Sequence, residues 1–118
     1  MCVTAQAILD RLLALFPDFG PFWGCEHNYF CDEGGSFTLC GVFSHFSLYF
    51  CARYEQLPRS RAADFGPFVT EWMAADDADL RDAVASCFLE NVAGERFSSC
   101  FRRFLSGDAL RAYSEWDG

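Results

Sequence analysis

Apolar residues recur at helical spacing along most of this chain. Ala5, Ile8, Leu9, Leu12 and Phe16 predict a helix from Thr4 to about Phe16, with Thr4 as its cap and Pro17 as its stop. The segment Asp18–Gly35 has no settled period. It allows a short helix around Trp23–Phe30 or a small strand pair near residues 24–38, before "DEGG" breaks the chain. From Ser36 to about Gln56 the pattern is helical again. Leu39, Phe43, Phe46, Phe50 and Tyr54 fall on one face, and Gly41, His45, Leu48, Ala52 and Glu55 on the other. Strict alternation fails there, which argues against a strand. A third stripe, Phe65, Phe68, Val69, Trp72 and Met73, predicts a helix from about Phe65 to Ala75. A fourth helix spans about Asp77–Val92, opening in acidic residues that suit a helix N-terminus and closing before Gly94. Helices at about Glu95–Leu105 and at Asp108–Glu115 complete the pattern.

The connections are short, and no linker or low-complexity segment interrupts them. The expected architecture is all-α: one compact domain over residues 1–118, built from five or six mostly antiparallel helices. The stretch "DFGPF" occurs twice, at Asp18–Phe22 and Asp64–Phe68. It contains the DFG letters of protein kinases, but a chain without lysine or a glycine-rich phosphate loop cannot do that chemistry. The flanks of the two copies do not match, so a duplication is disfavoured. Asp caps free N–H groups and Pro is tolerated in a first helical turn, so both copies are expected to start helices, the second most clearly.

Composition sharpens this picture. Hydrophobic residues make up 52% of the 118, with 14 Phe and 3 Trp, enough for one core and against intrinsic disorder. The net charge of −8 disfavours nucleic acid and anionic membrane as partners and suits a basic protein. The longest apolar run, Ser36–Ala52, is short for a membrane span and contains Ser and His. The N-terminus has no basic region, and Asp10 and Arg11 interrupt its apolar run, so it does not read as a signal peptide. Seven Cys at irregular spacing, without CxxC, read as reduced thiols in the cytoplasm, mostly buried, with Cys87 and Cys100 in the core.

Candidate chemistry is sparse. Cys25, Glu26 and His27 stand close together, but no third residue orients a nucleophile pair. With only two His and no paired Cys spacing, no metal ligand set forms, and no cofactor motif is present. His45 reads as a surface residue on the polar side of its helix. The acidic run Asp76, Asp77, Asp79, Asp82 lacks the glycine and terminal Glu of a calcium loop. It reads as a solvated helix start, or as a face for a cation or a basic partner. Arg59–Arg61 and Arg102–Arg103 are too few for a nucleic-acid surface. Asn91 projects from the apolar stripe of Leu80, Val84 and Cys87 and needs hydrogen-bond partners. Glu90 beside it is placed to pair with Arg53 or Arg81. Both are read as structural polar residues.

The stretches "ILDRLLALFPDF", "GGSFTLCGVFSHFSLYF", "DLRDAVASCFLENVAGE" and "SGDALRAY" together resemble an uncharacterised family of small all-helical bacterial proteins, a domain of unknown function. The resemblance spans nearly the whole chain. Its specific part is "FLEN" with the glycine that follows, and a His of the family stands here as Cys40. Such small acidic proteins are often encoded near secreted toxins, so the resemblance implies an immunity protein. That would be a non-catalytic cytoplasmic inhibitor of one cognate basic toxin, one that acts on nucleic acid or nucleotides. Acidic side chains beside exposed aromatics would form the contact: Asp32, Glu33, Asp76, Asp77, Asp79 and Trp116. The alternative is a regulatory or adaptor domain that binds a host protein, and an enzyme comes third.

Overall fold

The structure, a computed structural model, describes residues 4–24 and 37–117. The short helix expected around Trp23–Phe30 and the possible strand pair fall mainly outside these residues, as do Asp32 and Glu33. Every regular element among the described residues is helical.

The first helix, α1 (Ala5–Leu15), forms as its period demands. Thr4 Oγ1 accepts from the Ala7 N–H at 3.1 Å, and Ile8, Leu9 and Leu12 are buried. After Pro17 a five-residue helix, α2 (Phe19–Trp23), begins at Asp18. The first "DFGPF" therefore does start a helix, although the Asp18 side chain makes no capping bond.

The central element is α3 (Leu39–Arg53), capped by Thr38, whose Oγ1 accepts from Gly41 N–H at 2.9 Å. It was expected to show one buried face. Instead Val42, Phe43, Phe46 and Phe50 are fully buried on one side, while His45, Ser47 and Tyr49 are buried as well. The reason is tertiary: α2 packs over His45 and Tyr49, Asn91 reaches Ser47, and Leu48 and Ala52 on the polar side stay exposed. His45 is consequently not a surface residue but sits against Phe22, Trp23 and Phe19, with Nε2 3.0 Å from the Phe22 carbonyl oxygen.

A 3-10 turn (Tyr54–Gln56) leads to Pro58 and α4 (Arg59–Met73). This helix begins six residues before the expected start at Phe65, because "RSRAA" continues the helical path that Pro58 opens. The second "DFGPF" is thus mid-helix, with Pro67 inside it, which corrects the expectation of a helix start. Gly66 has a packing role here. A Cβ at this position would lie 2.4 Å from both Cβ and the carbonyl oxygen of Phe104, so only glycine admits the backbone that follows α7.

Asp77 caps α5 (Ala78–Val84), accepting from Leu80 N–H at 3.2 Å. The helix widens through a π-turn (Ala85–Leu89), in which the Glu90 N–H reaches back to the Ala85 carbonyl, and runs on into α6 (Glu90–Val92). Gly94 then ends it at φ +85°, as expected of a left-handed glycine stop. The remaining helices, α7 (Ser98–Arg102) and α8 (Gly107–Asp117), close the core from the C-terminal side. Tyr113 of α8 is fully buried, its hydroxyl 2.6 Å from Ser98 Oγ.

The core is dominated by phenylalanine. Phe50 lies within ring-contact distance of Phe16, Phe46, Phe65, Phe88, Phe97 and Phe101, mostly edge to face. Such pairs add about 0.5–1.5 kcal/mol beyond the area they bury. The core thereby fixes α3 at its centre and leaves both ends of that helix at the surface.

Candidate functional site

At the N-terminal end of α3 the chain forms an open groove of about 440 Å³. One wall is Thr38, Leu39 and Cys40, and the other is Asp79, Asp82 and Ser86 on α5 and the π-turn. Cys40 and Cys87 join the walls covalently, with Cα atoms 5.4 Å apart and 47 residues between them in sequence. This corrects the expectation of seven reduced thiols. The π-turn supplies the physical reason. It makes Cys87, Phe88 and Leu89 successive buried residues, turning the chain so that Cys87 faces the first turn of α3. Cys87 is in the core as expected. Cys100 is not: it is an exposed free thiol, because α7 turns Phe101 inward instead.

The groove is acidic by construction. Asp79 and Asp82 lie across from the N-terminal turn of α3, where the helix dipole favours negative charge by about 0.3–1 kcal/mol per group. Asp76 is exposed just upstream. Asp77 is partly buried, and its carboxylate is committed to the α5 cap. Of the residues expected to meet a partner, the structure therefore gathers Asp76, Asp77 and Asp79 around one helix start, and of these Asp79 lines the groove, where Asp82 joins it. Trp116 is exposed on α8, at 39%, but does not line the groove. Asp32 and Glu33 lie outside the described residues.

The polar pair beyond the π-turn behaves unevenly. Asn91 Nδ2 donates to the Cys87 carbonyl at 2.8 Å and to Ser47 Oγ at 3.2 Å, and the Ser47 hydroxyl donates in turn to the Ser44 carbonyl at 2.7 Å. Asn91 therefore bonds the π-turn to α3. Glu90 is exposed, and among the described residues it forms no ion pair with Arg53 or Arg81. Arg81 donates instead to the Ala75 carbonyl beyond α4.

The arrangement is a shallow groove with two carboxylates in its lining. Among the described residues no group of three metal-ligand side chains comes together, and no helix is long and apolar enough to cross a membrane. No protein-family model, curated protein or solved structure matches this chain. The parts of the groove that the sequence does not announce are Thr38, Cys40 and Ser86. Asp82 stands in the acidic run but separates from its neighbours only once α5 is built. No spacing signal ties Cys40 to Cys87.

Proposed function

We propose that this protein is a non-catalytic inhibitor of the immunity type, which binds a cognate basic toxin domain and covers its active-site cleft. The observation that carries the reading is the groove between α3 and α5, where Asp79 and Asp82 stand beside exposed Asp76 on a chain of net charge −8. A cleft that binds nucleic acid or nucleotides is basic, and an acidic face meets it with complementary potential and a raised association rate. Asp32, Glu33 and Trp116 belong to the same proposal as flanking contacts. The proposal treats the chain as a single helical domain whose helices run mostly antiparallel, the course that short connections impose. It also places the protein in the cytoplasm. The Cys40–Cys87 bond weighs against that part, since disulfides persist mainly in oxidising compartments.

The test starts with partner recovery from the native host, followed by kinetics with the recovered protein. The variant Asp76→Asn/Asp79→Asn/Asp82→Asn leaves the Asp77 cap intact and so separates docking from folding. A basic toxin domain should be recovered, and the variant should associate with it at least about tenfold more slowly at low salt, with a flatter salt dependence. Recovery of a regulator or transport component in its place supports the adaptor reading. A folded variant with an unchanged association rate moves the interface off this face.

A further inference from the structure

At the opposite end of α3 lies a second cavity with the reverse electrostatic character. It measures about 420 Å³, within the usual range of small-molecule sites. Tyr54, Leu57 and Phe97 form an apolar wall, with the Tyr54 and Phe97 rings stacked at 4.1 Å between centroids and 12° between planes. Arg59, Arg96 and Arg103 converge on it from three elements: the start of α4, the loop before α7, and the turn after it. They are three of the nine basic residues of an acidic chain. One carboxylate, Glu55, shares the lining, so the cavity carries a net charge of about +2 against −8 for the whole. Among the described residues none of these three guanidinium groups is paired with a carboxylate, whereas Arg111 is paired with Asp108 at 3.1 Å.

An unpaired arginine cluster around stacked aromatics has a specific chemical complement. The guanidinium fork bonds carboxylate or phosphate in a planar, two-point geometry, and its face stacks on aromatic rings. The apolar wall takes the body of the same ligand. We propose that this cavity is a binding site for a small organic anion, a molecule with one carboxylate on a flat apolar body. The carboxylate would sit among Arg59, Arg96 and Arg103, and the body against Tyr54, Leu57 and Phe97. The site is independent of the acidic groove: α3 has 15 residues, which separates its ends by about 22 Å at the helical rise.

The experiment uses the full chain in its oxidised form and three probes: 2-naphthoate, its neutral isostere 2-naphthamide, and inorganic phosphate. Binding is read by calorimetry and located by amide chemical-shift changes. The expected result is saturable binding of 2-naphthoate with shifts at Arg59, Arg96 and Phe97. Naphthamide and phosphate should each bind roughly tenfold or more weakly, the factor a charge-assisted hydrogen bond supplies. Arg59→Gln/Arg103→Gln should abolish the preference for naphthoate over naphthamide. The control Arg111→Gln should leave it unchanged. All three arginines are exposed, so the variants should fold, and melting curves verify this. Equal binding of naphthoate and naphthamide overturns the proposal, as does phosphate binding as tight as naphthoate. So does naphthoate affinity that survives in the folded double variant, or shifts confined to other surfaces.

Discussion

Single side chains here differ sharply in how their surroundings treat them, and the thiols show it best. Burial pushes the Cys51 thiol up to about 12, with a hydrogen bond and negative charge from Glu95 adding to the effect. Cys100 is exposed. At pH 8 an alkylating reagent should therefore label Cys100 rapidly and Cys51 at least about a hundredfold more slowly, since the thiolate is the nucleophile. Time-resolved mass spectrometry of the native protein checks this, and equal rates would remove the burial argument. The sign of the pH effect on folding follows. The unfolded chain releases the Cys51 proton near pH 9 and the folded one near 12, so this residue's contribution is intact below about pH 9 and is lost as pH climbs towards 12. Asp77 makes a second prediction at this scale. Asp77→Ala removes the α5 cap and should cost about 1 kcal/mol, while Asp77→Ser should restore most of it. Urea unfolding of the two variants separates cap from charge.

Among the elements, α1 and the capped start of α5 were readable from the chain, because each rests on local signals: Thr4 before an apolar stripe, Asp77 before another. The Gly94 stop was equally local. Elsewhere the signals were tertiary. On the polar side of α3, α2 buries His45 while Leu48 and Ala52 stay exposed, a division that no property of α3 alone reveals. The π-turn shifts the period of the α5–α6 segment, so Phe88 and Leu89 are buried beside Cys87 and a regular helical projection misassigns that face. The groove inherits both difficulties. Its acids were visible, but its other wall is 39 or more positions upstream in sequence, at Thr38–Cys40. Gly66 makes the strongest prediction about an element. Gly66→Ala forces a Cβ into the Phe104 backbone and should destabilise by about 1–3 kcal/mol, the usual range for overpacking. In a helix interior Ala would otherwise gain up to about 1 kcal/mol over Gly. A variant as stable as the parent in thermal melting would mean that the turn after α7 yields freely.

At the scale of the whole molecule, α3 separates two surfaces of opposite charge, acids near its N-terminus and arginines near its C-terminus. Each end complements the dipole of the helix it borders, so the division stabilises the fold whatever binds there. The covalent tie lies at the acidic end. A link closing 47 positions of chain removes unfolded-state entropy worth about 4 kcal/mol in the loop-closure treatment. Cys40→Ser/Cys87→Ser should accordingly unfold at lower denaturant concentration, and the parent should match it once reduced. A loss below about 1 kcal/mol would show that the tie hardly constrains the unfolded chain. The same bond bears on how any assay of this protein is counted. A partly reduced preparation is a mixture of two molecular species, one with the groove walls joined and one with them free. If only the joined species binds, a calorimetric titration of a half-oxidised sample saturates at half the expected stoichiometry while the fitted affinity stays the same. Quantifying the disulfide in each batch thus becomes the concentration standard against which every binding curve is read.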